Sequence, residues 1–101
     1  MAIATSNTRE AGEIRLTLPE RFDFSLHREF RRLYEEGQPG VTRYVVDLRE
    51  TQYVDSAGLG MLLQLWEHAG RKPDRVRLIN AQPGVRDILQ IANFQQLMQV
   101  A

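Results

Sequence analysis

The sequence contains no cysteine, which removes disulfides, thiolate metal sites and cysteine nucleophiles together. It has no excess of either charge: 13 basic residues stand against 13 acidic ones. A neutral chain lacks the broad positive field that holds nucleic-acid phosphates, so no nucleic-acid partner is expected. Long hydrophobic runs are missing too. The longest, Leu59 to Trp66, is broken by Gln64 and falls far short of the roughly 20 apolar residues that span a bilayer. No direct membrane insertion is expected. Met1 to Gly12 shows no basic start followed by an apolar stretch, so no signal peptide is read there, and a cytoplasmic location is expected. The two histidines, His27 and His68, lack the i, i+4 spacing of a helical metal site, so none is expected.

Parts for catalysis are equally scarce. A serine nucleophile needs a base within reach. His68 is twelve residues beyond Ser56 on one expected helix, roughly 18 Å along its axis. The glycine of a nucleophile elbow, two residues before the serine, is replaced by Val54. Gly58-Leu59-Gly60 has no following lysine, so it is not a nucleotide-binding loop. The chain reads as a non-enzyme without a cofactor.

What remains is a pattern for one small domain over residues 1–101. Hydrophobic residues make up 43% of the chain, enough for a core and too many for a disordered segment. Glu13 to Leu18 alternates polar and apolar side chains, the period of a half-buried strand, and Pro19 ends it. A strand near Ile3 to Ser6 pairs with it if Glu10-Ala11-Gly12 turns the chain. Leu26, Phe30, Leu33 and Tyr34 recur at helical spacing, so a helix is expected from about Ser25, as its N-cap, to Glu36, with Gly37 as the stop. Gln38-Pro39-Gly40 is a turn. Tyr44 to Leu48 reads as a central strand covered on both sides. A second helix starts near Asp55 or Ser56 and runs to about Ala69. Val76 to Ile79 is another strand. Pro83 suits the first turn of a third helix, with Val85, Ile88, Leu89 and Ala92 inward and Asn93 as its cap. Leu97 to Val100 closes the chain as a short strand. The fold class is α/β: a mixed, mostly parallel sheet of four to five strands packed against three helices, in the order β-β-α-β-α-β-α-β.

One segment carries more than fold: Tyr53-Val54-Asp55-Ser56-Ala57-Gly58-Leu59-Gly60. Asp55 and Ser56 stand at a helix start, where unpaired backbone N–H groups and the helix dipole favour an anion. A serine or aspartate there is most often only a cap. Each of Gly58 and Gly60 costs roughly 1 kcal/mol of helix propensity against alanine, so close backbone approach to the sheet or to a partner is expected. Leu59, Leu62, Leu63, Trp66 and Ala69 follow the core rhythm. Met61 and Leu65 fall off it, which suggests an apolar spot beside Ser56 for a binding partner. The basic stretch Arg71-Lys72-Pro73-Asp74-Arg75-Val76-Arg77 reads as a solvated turn entering a strand.

Asp47-Leu48, then Val54-Asp55-Ser56-Ala57-Gly58-Leu59-Gly60 and an apolar helix, resembles the STAS family of anti-sigma factor antagonists. The element order agrees over nearly the whole chain, so the resemblance implies a STAS fold. In that family the serine of the D-S-x-G-L pattern is phosphorylated by a partner that is both kinase and anti-sigma factor; the matching position is Ser56. Arg21-Phe22-Asp23-Phe24-Ser25 is similar to the family's segment before its first helix, which places a recognition aspartate at Asp23. Asp23, Asp55, Gly58, Leu59, Gly60, Met61 and Leu65 are the implied kinase- and partner-recognition residues. The last residues, Asn93 to Val100, are similar to the short HsbA-type subgroup, for which a response regulator with phosphatase activity is a further implied partner. Single STAS domains also serve as accessory subunits on the ATPase of lipid-asymmetry transporters, the alternative reading. Two departures stand out: Glu20 replaces a glycine common before the first helix, and the family's final helix is not expected before the sequence stops at Ala101.

Overall fold

The computed structural model describes residues 2–7, 12–36 and 40–101. Among these residues seven strands are found: β1 (Ala4–Asn7), β2 (Glu13–Thr17), β3 (Arg21–Phe22), β4 (Arg43–Asp47), β5 (Tyr53–Val54), β6 (Val76–Ile79) and β7 (Gln99–Val100). Three α-helices accompany them: α1 (His27–Glu35), α2 (Ser56–His68) and α3 (Pro83–Ile91). The main sheet has five strands in the order β1-β2-β4-β6-β7. β1 pairs antiparallel with β2, and the remaining neighbours are parallel. The mostly parallel α/β class expected from the sequence is what is observed.

Alternation decides which way the sheet faces. Ile14, Leu16, Tyr44, Val46, Val76 and Leu78 are buried in one cluster with Phe30 and Tyr34 of α1, Met61, Leu62 and Leu65 of α2, and Val85 and Leu89 of α3. The register aligns Ile14 with Tyr44 and Val76, and Leu16 with Val46 and Leu78, so one face carries the apolar layer. The opposite face carries Arg15, Val45 and Arg77 in one row. Val45 is buried but stands outside the core cluster, between two long side chains whose stems cover apolar neighbours. β4 is thus central and buried on both sides, yet helices cover only one of them.

Other local corrections have simple causes. The first helix is not capped by Ser25. A 3-10 turn over Phe24–Leu26 precedes α1, and Asp23 caps that turn by accepting the Ser25 N–H at 3.0 Å. Ile88 is half-exposed and Ala92 exposed, because Val85 and Leu89 alone fill the inward positions of the short α3. Asn93 follows α3 in the left-handed region (φ 62), which asparagine tolerates as a helix terminator. The final strand is shorter than expected: a 3-10 turn over Phe94–Gln96 precedes β7. The turn residues Glu10, Ala11, Gln38 and Pro39 and the helix stop Gly37 lie outside the described residues. Gly12 and Gly40, which flank them, have φ of +80 and +86, conformations that glycine adopts without strain. Among the described residues no helix is long and apolar enough to cross a membrane.

Candidate functional site

The candidate site is organised by a two-stranded parallel ribbon. β3 and β5 pair with Arg21 opposite Tyr53 and Phe22 opposite Val54. Phe22 and Val54 are buried in the core, whereas Arg21 and Tyr53 are exposed. Asp23 and Asp55 are the residues that directly follow the paired ends of the two strands, and Ser56 follows as the first residue of α2. Two-residue strands are too short for any period-2 pattern, so this ribbon left no sequence signal beyond the aspartates themselves.

Asp55 is the N-cap of α2. Its backbone is extended, and its carboxylate accepts the Gly58 N–H at 2.8 Å, the N3 donor that a cap ordinarily satisfies. Ser56 is exposed at the positive end of a 13-residue helix. Asp23 accepts from both the backbone and the hydroxyl of Ser25. Those hydrogen bonds, and then the nearby Arg21, hold its carboxyl below the usual carboxylate range. The Arg21 guanidinium lies 3.7 Å from Asp23 and 4.3 Å from the centroid of the Tyr53 ring.

The two glycines differ. A Cβ on Gly58 would collide with the carbonyl oxygen of Phe22 and come within 3.0 Å of the Val54 side chain. Gly58 therefore lets the first turn of α2 lie directly on the β3–β5 ribbon. A Cβ on Gly60 would meet nothing within 4 Å. Close approach inside this chain explains Gly58 and leaves Gly60 unexplained by packing.

Met61 and Leu65 are not the apolar spot that the sequence suggested. They are 4% and 0% exposed, and with Leu62 they form the buried stripe of α2, while Leu59, Leu63, Trp66 and Ala69 pack partly against it. The error has a physical source: six of the eight residues from Leu59 to Trp66 are large and apolar, so periodicity fixes a helix but not which side faces inward. Exposed large apolar residues lie elsewhere: Ile88 and Ile91 on α3, and two at the ribbon. Phe24 is 64% and Tyr53 43% exposed, and both belong to the segments that meet at the ribbon. A large aromatic between Asp23 and Ser25 in a short turn is the one sequence signal that pointed to Phe24.

The loops at this end of the sheet are anchored by Asp47, which is 3% exposed. Its carboxylate accepts from the Arg49 N–H at 3.0 Å and the Asn80 side-chain amide at 3.1 Å, with Arg15 at 3.8 Å. The Gln82 amide donates to the Arg49 carbonyl at 3.0 Å. One buried carboxylate therefore joins the loop after β4 to the loop after β6. His68, at the far end of α2, lies 4.9 Å from the Tyr34 ring, and His27 stacks on Phe24 at 4.9 Å.

Comparison with known proteins fits this arrangement. A family model described as "Mlab, STAS domain" matches residues 5–99. A STAS-domain containing protein of Pseudomonas aeruginosa is 44% identical over 101 residues, spanning 100% of both chains. Among solved structures, the anti-sigma factor antagonist SpoIIAA in its unphosphorylated form superimposes with a TM-score of 0.81 at 20% identity, covering 99% of this chain and 88% of that one. The Bacillus cell fate determinant SpoIIAA in the phosphorylated form gives 0.68 at 17% identity, covering 99% and 91%. An anti-sigma factor antagonist from Mycobacterium paratuberculosis gives 0.74 at 17% identity, covering 97% and 84%. These structures share the fold.

Proposed function

This chain belongs to the STAS domain family, and we propose that within it the protein is a non-catalytic, cytoplasmic anti-sigma factor antagonist switched by phosphorylation of Ser56. With Ser56 unmodified, the surface around the start of α2 binds an anti-sigma factor that is also the serine kinase, and so regulates transcription. With Ser56 phosphorylated, the same surface carries roughly 1.5 to 2 extra negative charges at neutral pH, and burying them against the partner is unfavourable without compensating cations. A response regulator with phosphatase activity, as in the HsbA-type subgroup, restores the binding form.

The observation that carries this reading is that Ser56 is an exposed residue at the first position of α2, directly after its N-cap Asp55. The likeness to an antagonist fold solved in unphosphorylated and phosphorylated forms supports it. Asp23 and Asp55 orient the segment for the kinase. Gly58 sets the depth of α2, and Leu59 and Gly60 lie in the recognised turn. Met61 and Leu65 act only as the core beneath it.

Docking on a transporter ATPase would use the same end of α2 but gives a free serine hydroxyl no task. The test is to incubate the protein with its cognate kinase and ATP and to map the label by peptide mass spectrometry. Label on Ser56, absent from Ser56→Ala, is expected. Label that persists in Ser56→Ala, or recovery of the native protein on a transporter ATPase, overturns the assignment.

A further inference from the structure

The two segments that meet at the candidate site are strongly acidic. Residues 19–26 and 50–60 contain the carboxylates Glu20, Asp23, Glu50 and Asp55, and Arg21 is their sole arginine or lysine. Nearby Arg49 is drawn toward the buried Asp47, at 3.9 Å, and His27 is stacked on Phe24. The helix terminus offers less to an anion than an empty one, because Asp55 already occupies the Gly58 N–H. A phosphoryl group on Ser56 therefore enters a site with a deficit of positive charge. Arg21 is the one cation of these two segments, and the register sets it opposite Tyr53, three residues before Ser56. It stands on the same outer side of the ribbon as Tyr53 and Asp23, its side chain is 63% exposed, and its present contacts are a long ion pair, 3.7 Å to Asp23, and the face of the Tyr53 ring, 4.3 Å to the centroid. Contacts of that kind between exposed groups are weak, whereas arginine and a phosphate dianion form short, charge-assisted hydrogen bonds.

We propose that Arg21 is the intramolecular counter-ion of phosphorylated Ser56: on modification its guanidinium leaves Asp23 and the face of Tyr53 and hydrogen-bonds the phosphate. The inference rests on the reading of Ser56 as the modified residue. Its consequence is local remodelling: the ring of Tyr53 is uncovered and the carboxylate of Asp23 is released, so phosphorylation alters the docking surface by more than its own charge.

The experiment bypasses the kinase. Phosphoserine is incorporated at position 56 during translation, and the phosphate is titrated by phosphorus NMR while the Tyr53 ring protons are followed. The second phosphate pKa is expected to lie lower by about 0.5 in the wild-type background than in Arg21→Gln, as an adjacent cation favours the dianion. The Tyr53 ring resonances are expected to move on phosphorylation only when Arg21 is present. Arg21→Lys, which keeps the charge, serves as the second variant and is expected to retain most of the pKa effect. Equal pKa values in wild type and Arg21→Gln, with Tyr53 unmoved, would overturn the proposal. Failure of a kinase to label Ser56 would defeat the functional reading and leave this titration interpretable.

Discussion

Gly58 of α2 lies directly against the backbone carbonyl of Phe22 in β3, so closely that a Cβ there would collide with that oxygen. This contact seats the first turn of α2 on the ribbon that carries Asp23. Gly58→Ala is expected to destabilise the protein by about 1–3 kcal/mol, the cost of overpacking a tight contact. Gly60→Ala meets open space and is expected to stabilise it by up to about 1 kcal/mol through helix propensity. Urea denaturation of the two variants separates the cases by sign.

Leu65 and Phe24 should behave as opposites. Leu65 is fully buried, so Leu65→Ala is expected to cost about 2–5 kcal/mol and to weaken any partner only through unfolding. Phe24 is well exposed, so Phe24→Ala should change stability by no more than about 0.5 kcal/mol. If the proposed docking surface includes this exposed aromatic, the same variant should lower partner affinity by more than about fivefold, or roughly 1 kcal/mol. Calorimetric binding beside thermal melting tests both.

Asp47→Ala removes the acceptor shared by the Arg49 N–H and the Asn80 amide. Leaving those groups unpaired is expected to cost about 1–3 kcal/mol. Faster hydrogen exchange in residues 80–82 and 49–52 should accompany it, since these loops are joined through that carboxylate.

Asp23 gives a pH signature. Its carboxyl is held below the ordinary aspartate range, first because Ser25 donates two hydrogen bonds to it and then because Arg21 is close. A depressed folded-state pKa contributes stability that is present above the unfolded value and lost as pH falls through the folded value. Asp23→Asn is therefore expected to flatten the pH dependence of stability below about pH 4, leaving neutral-pH behaviour little changed. Asp23 titrating within or above the ordinary aspartate range by carbon NMR would contradict this.

The sheet was legible because its strands announce themselves. Ile14, Leu16 and Leu18 alternate with polar residues, and the burial of β2 follows that alternation. The apolar run in β4 correctly marked a buried central strand, but cover on its second face comes from Arg15 and Arg77, which periodicity cannot distinguish from a helix layer. The aspartates and Ser56 were legible as a motif. The β3–β5 ribbon was not, since two-residue strands carry no period and are fixed by tertiary pairing alone. The inward side of α2 was illegible for the reverse reason: with apolar residues nearly all round, its rotation is set by tertiary packing, which buries Gly58, Met61, Leu62 and Leu65.

The most direct test is the affinity of the purified anti-sigma partner for two forms of this protein, one with serine and one with phosphoserine at position 56, measured by calorimetry at the same salt concentration. Phosphorylation is expected to weaken binding by about 100-fold, near 2.7 kcal/mol, as befits a dianion forced toward an interface. Equal affinity of the two forms would contradict the account.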